Sequence, residues 1–226
     1  MTRMQGGLCN KSAAQDQHFV QGELANRKVE TNLLPPNMAI NPQSTVYVVF
    51  SAEINPGTTE ALIGLLTQCC NQGTKDVYLI ISTPGGAVMN GVHLYNVLRA
   101  LPITLTTHNS GNVDSIGNAI FLAGSRRYAA PHSTFMFHGV GMAVNAGTRL
   151  EEKPLRETLA SILADQKRIG AIFQERTQLT ADQVEGLFRD AQTKDATFAA
   201  GCGIVDEVRD IQIPAGATVV SLVFQR

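Results

Sequence analysis

The chain has little of what marks several large protein classes. Neither sign of charge dominates its 226 residues: 18 Lys and Arg stand against 19 Asp and Glu, a net charge of −1. A nucleic-acid surface needs a strongly basic face, so no nucleic-acid partner is expected. Cysteine is scarce, and the four present (Cys9, Cys69, Cys70 and Cys202) are irregularly spaced with two adjacent. That spacing fits neither a disulfide framework nor a zinc site, and no metal or cofactor is expected. No apolar run is long enough to span a bilayer. No apolar signal core follows the early charges, so a cytoplasmic location without a membrane partner is expected. There is no Gly-x-x-x-x-Gly-Lys loop, so the chain is not expected to hydrolyse ATP itself. No internal repeat is present.

What is there is a chain 44% hydrophobic and 16% charged, enough for one sizeable core. Residues 1–40 are polar and weakly patterned and read as a flexible N-terminal arm. Residues 41–226 read as one domain. Val46–Phe50 predicts a buried strand. Asn55-Pro56-Gly57 is a turn, with Thr58 placed to cap a helix carrying Leu62, Leu65 and Leu66 that Gly73 ends. Val77–Ile81 predicts the next strand, and Gly85-Gly86 leads into a helix with Val88, Val92, Tyr95 and Leu98. Ile103–Thr107 and Phe135–Phe137 predict two more strands, and Thr218–Phe224 a last one. Strands alternating with helices imply right-handed βαβ units around a mostly parallel sheet, an α/β fold. From about 148 to 177 the pattern predicts one long helix, opened by a Thr148–Glu151 capping box. Its apolar stripe is Leu155, Leu159, Ile162, Ile169 and Phe173. Thr180 and Gln183 open a second capping box.

Three strand ends carry residue types that hydrolytic chemistry uses. Ser115 lies in Gly111-Asn-Val-Asp-Ser-Ile-Gly117, before a stretch of small residues. A serine hydroxyl attacks a carbonyl only when a base takes its proton, and His138, ending the Thr134–Phe137 run, has the pKa for that task. The transition state also needs donors aimed at the developing oxyanion. A helix starting at Ser115 would aim N–H groups there, that of Ile116 included, and Gly86 can offer another from the adjacent loop. Taken singly, each feature has a plain structural explanation in helix packing, a turn or a structural histidine. Their joint order along an alternating chain is what points to acyl transfer.

From about Thr45 to Val208 the chain resembles the Clp protease proteolytic subunit family, of the ClpP/crotonase-like fold group. The stretches that carry the resemblance are VYLIISTPGGAV (77–88), GNVDSIGNAIFLAGSRRYAAPHSTFMFHGV (111–140) and CGIVDEV (202–208). It implies a ClpP/crotonase-like fold with repeated βαβ units and a protruding handle helix. It implies Ser115 as nucleophile, His138 as general base, and the Gly86 and Ile116 N–H groups as oxyanion hole. It implies peptide substrates, a ring of identical subunits meeting through the handle, and an AAA+ unfoldase ATPase as partner. The chain departs from the family in two places. Asp114 replaces a small residue before the nucleophile, and Ala191 stands where the family's triad aspartate maps. Asp190, one residue away, is the expected third member, with Asp195 or no acid as alternatives. Lys153 is the base of a rival Ser–Lys arrangement seen in related proteases, or a solvated lysine among Glu151, Glu152 and Arg156. Arg126 and Arg127 are candidates for a surface groove or subunit contact. Two other functions share these features: a catalytically idle ring or regulatory subunit, and an acyl-CoA enzyme of the same fold group.

Overall fold

The computed structural model describes residues 44–144, 147, 149 and 151–224. The expected arm over residues 1–40 and the expected cap Thr148 lie outside the described residues. Strands β1 (Val46–Ser51) and β2 (Asp76–Thr83) pair in parallel, Val46 opposite Val77. Both are buried along most of their length, which is why they read as continuous apolar runs rather than as alternating ones. Between them runs α1 (Pro56–Asn71), whose N-cap is Asn55 and not Thr58. Asn55 Oδ1 accepts from the Thr58 N–H at 3.0 Å, and Thr58 Oγ1 accepts from the Asn55 N–H at 3.0 Å. Pro56 explains the offset: it lacks an N–H and its φ is preset, so it belongs at the first helical position with the cap before it. Gly73, at φ 84°, ends the helix as expected.

Helix α2 (Val88–Ala100) buries Leu94, Tyr95 and Leu98, and β3 (Thr104–Asp114) follows. The expected strand stopped at Thr107, but β3 is 11 residues long. Its pairing with β2 jumps register, from Ile81 opposite Asn109 to Thr83 opposite Val113. At that bulge β3 also changes its other partner. Thr106–Asn109 pairs with β4 (Arg126–Ala129), and Asn112–Asp114 pairs with β5 (Thr134–Met136). A bulge bends a strand and increases its twist; here it carries the end of β3 away from β4 and onto β5. A short helix, α3 (Gly117–Phe121), lies between β3 and β4.

The remaining elements are α4 (Glu152–Arg176), α5 (Ala181–Arg189), β6 (Thr193–Asp195), α6 (Ala196–Gly201), β7 (Glu207–Val208) and β8 (Thr218–Leu222). Sheet order is β6–β5–β3–β2–β1–β8, with β4 and β7 branching from β3. All described pairings are parallel except β5 with β6. The expected alternating α/β fold is present. Helix α4 starts later than expected, with Glu151 as N-cap and no side-chain cap bond, whereas the Thr180–Gln183 capping box forms as read.

The stripe of α4 divides in two. Ile169, Ile172 and Phe173 are buried, and Phe173 meets Phe137 and Phe188 edge-on. Leu155 and Leu159 are exposed, as is Leu163, which was not part of the expected stripe, and Ile162 is half-buried. Arg127 faces inward: it donates to the Arg176 carbonyl at 2.6 Å and pairs with Asp206 at 3.3 Å, tying β4 to the end of α4 and to the β7 approach.

One sheet face carries an aromatic layer. Tyr47 stacks on Tyr78, Tyr78 on Tyr128, and the Arg209 guanidinium lies 3.6 Å from the Tyr128 ring centroid. His108 is fully buried there. Its Nε2 is 3.0 Å from the Arg209 carbonyl, which can only accept, so Nε2 carries the proton and Nδ1 accepts from the Tyr78 hydroxyl at 2.6 Å. Burial pushes the His108 pKa down to about 4, and the Arg209 guanidinium adds to that; the bond to the Arg209 carbonyl and the Asp210 charge oppose it. A pKa lowered on folding gives stability that is complete above the unfolded value near 6.5 and is lost as pH falls toward 4. The stability difference between wild type and His108→Gln should therefore shrink by about 2–3 kcal/mol from pH 7 to pH 4. Urea unfolding at both pH values checks this, and an unchanged difference contradicts it.

Candidate active site

Among the described residues, Ser115 (φ 55°) and Ala191 (φ 48°) are the non-glycines in the left-handed region. Such backbone costs roughly 1–3 kcal/mol and persists only where the surroundings hold it. Ser115 is held. Its N–H donates to the Met136 carbonyl at 2.8 Å, and its carbonyl accepts from the Asn118 N–H at 3.1 Å. The turn from β3 to α3 therefore occupies Ser115 itself. The helix was expected to start at Ser115; it starts at Gly117 with Ile116 as N-cap. The left-handed turn at Ser115 accounts for the shift.

The loop after β2 packs directly on this turn. A Cβ at Gly85 would sit 2.7 Å from Ser115 Cβ and 2.8 Å from the Asp114 carbonyl oxygen. Gly86, at φ 145°, would drive a Cβ into the Ile54 carbonyl. Ile54 donates to Gly85 O at 2.7 Å and accepts from the Ala87 N–H at 2.8 Å. These bonds flank Gly86 in a parallel bridge, so its own N–H faces away from Ile54.

His138 follows β5 and is exposed. The antiparallel pairing of β5 with β6 sets Met136 opposite Thr193, and the Phe137 N–H donates to Gln192 O at 2.8 Å. Carried further, that register would bring Ala191 level with His138, but the paired ladder ends at Met136 and Thr193 and Ala191 turns left-handed at φ 48°. The Gly139 N–H then donates to Phe188 O at 2.9 Å.

Ser115, His138, Gly86 and Ile116 line one cavity of about 80 Å³, walled by Val88, Ile169 and Phe188. Among the described residues neither the Ser115 hydroxyl nor the His138 ring makes a hydrogen bond. Catalytic bonds in a free enzyme are often long and tighten on substrate, so the missing bond does not by itself exclude proton transfer.

The structure does not bring the expected acid to this cavity. Asp190 ends α5, and its carboxylate accepts from Arg189 Nε at 3.0 Å and Gln192 Nε2 at 3.2 Å. It lines a separate cavity of about 500 Å³ with Leu179, Leu187 and Phe198. The left-handed turn at Ala191, just after Asp190, leaves that carboxylate to its local partners. Asp195 caps α6 through a 2.7 Å bond from the Phe198 N–H. Lys153 stands on the exposed first turn of α4, 3.9 Å from Glu157, so the Ser–Lys arrangement has no support. Asp114 accepts from Asn112 Nδ2 at 2.6 Å, and Asn112 also accepts from Ser82 and donates to the Thr83 carbonyl. It belongs to a β2–β3 polar network beside the nucleophile turn. Phe188 was not singled out from sequence, although its place on the apolar face of α5 with Val184 was a usable signal.

The mostly parallel sheet with its crossing helices is that of the ClpP/crotonase-like fold class. A sequence model of the Clp protease family matches residues 42–212, and the chain belongs to that family. It is 31% identical over 170 residues to the ATP-dependent Clp protease proteolytic subunit 2 of Thermobifida fusca, across 71% of this chain and 79% of that one. Against proteolytic subunit 1 of Leifsonia xyli it is 28% identical over 148 residues, 65% of this chain and 73% of that one. A ClpP1 point mutant from Listeria monocytogenes superposes with a TM-score of 0.66 at 20% identity, over 74% of this chain and 92% of that chain. The ClpP catalytic domain from Plasmodium falciparum gives 0.62 at 23%, over 75% and 88%. Among the described residues no helix is long and apolar enough to cross a membrane.

Gly86→Ala tests the loop. A Cβ against the Ile54 carbonyl at a glycine-only φ should cost about 2–4 kcal/mol and displace the loop from Ser115. Thermal unfolding measures this, and a variant that melts with the wild type contradicts the close approach.

Proposed function

We propose that the chain is a serine peptidase that hydrolyses peptide bonds of unfolded proteins or peptides inside a ring of its own copies. The observation that carries this reading is the meeting of Ser115, His138, Gly86 and Ile116 around one small cavity. Ser115 Oγ, giving its proton to His138, attacks the scissile carbonyl carbon. The Gly86 and Ile116 N–H groups donate to the oxyanion. The amine leaves with the proton from His138, and water, deprotonated by His138, then cleaves the acyl-enzyme ester. A thioester substrate of the acyl-CoA kind would have no need of both Ser115 and His138, which favours the peptidase over that alternative.

Ala191, standing where the family's triad aspartate maps, changes the expected rate. A carboxylate there would fix the imidazole tautomer and stabilise the imidazolium, and loss of its charge costs about 10⁴ in kcat in a well-studied triad. The chain is therefore a slow peptidase as it stands. The same absence favours one second reading, an idle ring subunit. Assay of a short fluorogenic peptide decides between them. Ser115→Ala should abolish turnover. Ala191→Asp should raise kcat about tenfold or more, helped by the tolerance of Asp for left-handed backbone. Asp190→Asn should leave turnover unchanged. Wild-type turnover no greater than that of Ser115→Ala would establish the idle subunit, and an unchanged Ala191→Asp would refute the placement of residue 191.

Ring assembly is inferred from the outer half of α4. Leu155, Leu159 and Leu163 are 45%, 55% and 55% exposed, an apolar face that nothing in the protomer covers among the described residues. A copy of the same helix supplies a matching face. An AAA+ unfoldase ATPase partner follows from the relatives, which are named as subunits of an ATP-dependent protease. A cytoplasmic site of action is part of the same reading. Leu159→Asp should dissociate the assembly, because burying an unpaired charge costs several kcal/mol. Light scattering reads the mass; an assembly of wild-type mass would contradict the α4 seam.

A further inference from the structure

We propose that Asn118 is a positioning residue for the nucleophile, a side-chain clamp on the left-handed turn at Ser115. Asn118 lies on α3 and is 1% exposed. Its Nδ2 donates to the Ser115 carbonyl at 3.0 Å and to the Met136 carbonyl at 2.8 Å. Only the NH₂ end of the amide can meet two carbonyls, so the orientation is fixed by its partners. The Met136 carbonyl also accepts from the Ser115 N–H. One amide thus grips the turn before α3 and the strand beside it, closing a ring through Ser115, Met136 and Asn118.

The arrangement is not one that stability alone selects. Asn118 Oδ1 is buried without a hydrogen-bond partner. A buried polar atom left unpaired destabilises the fold. Nor does either carbonyl depend on the amide. Met136 O keeps the Ser115 N–H, and Ser115 O keeps the Asn118 N–H at 3.1 Å. An alanine at 118 would remove the unpaired oxygen and leave both carbonyls partnered. What it would lose is the constraint on Ser115, whose φ of 55° is unfavourable for a serine. Relaxation of that φ would swing Oγ out of the cavity it shares with His138. A reacting atom misplaced by about 1 Å can cost a hundredfold in rate.

The proposal rests on Ser115 as nucleophile, and its test separates the two. The intact protein is compared as wild type, Asn118→Ala and Asn118→Ser. Three quantities are read: kcat and KM on a short peptide, the rate of fluorophosphonate labelling, and hydrogen exchange of the Ser115 amide. Asn118→Ala should fold, since both carbonyls keep a backbone donor. Its kcat and labelling rate should fall about ten- to hundredfold with KM within roughly twofold, and the Ser115 amide should exchange at least about tenfold faster. Asn118→Ser, whose hydroxyl can still donate to the Ser115 carbonyl, should recover part of each loss. A folded Asn118→Ala with wild-type labelling and wild-type exchange overturns the clamp. If the wild-type protein takes no label, the nucleophile reading falls instead, and the exchange rate alone still decides whether Asn118 holds the turn.

Discussion

The site depends on one constraint: β3 outruns the strand it first lies beside. Its first part pairs with β4 and its last part with β5, and the bulge over Ser110–Asn112 makes the transfer. The end of β3 is thereby placed next to the end of β5. The Ser115 N–H bond to the Met136 carbonyl, 2.8 Å, locks the two strand ends together. Ser115 and His138 then sit one residue beyond and two residues beyond paired positions of the same ladder. Gly85 and Gly86 complete the site because the β2 loop must approach Ser115 and Ile54 more closely than a side chain permits.

The buried centre of the fold was legible because its strands are covered on both faces. Val46–Phe50 and Val77–Ile81 are continuous apolar runs and fall inside β1 and β2. The end of β3 was not legible. Ser110-Gly111-Asn112 has the composition of a loop, and it is strand through long-range partners: Asn112 pairs with Thr134 of β5 and bonds to Ser82 of β2. β6 and β7 are too short to carry a period, and β4 reads as polar because Arg126 is exposed and Arg127 pairs with the distant Asp206. The start of α4 was misplaced for a different reason: Thr148 and Glu151 satisfy the spacing of a capping box, yet the helix begins after both.

The site divides along the same line. Ser115 could be read because glycines flank it ahead of a stretch of small residues, His138 because it directly follows a buried apolar run, and Gly86 because a glycine pair follows β2. The acid could not be read. Which residue stands opposite His138 is set by the antiparallel register of β5 and β6, and a slip of one residue exchanges Asp190 for Ala191. Asn118 escaped notice because an asparagine among small residues looks like packing, and its role depends on two carbonyls brought together only by the fold.

Left-handed backbone at non-glycine residues gathers where chemistry is inferred. Among the described residues the two left-handed non-glycines are Ser115, the candidate nucleophile, and Ala191, just beyond the paired end of β6. By contrast His108, buried and fully paired, is absorbed in the sheet. The central claim is that Ser115 is activated by His138. Treatment with a fluorophosphonate followed by peptide mapping in a mass spectrometer tests it most directly. The account predicts a single adduct on the peptide carrying Ser115, formed in the wild type and lost in His138→Ala. An adduct on another serine, or equal labelling of Ser115 without His138, would contradict it.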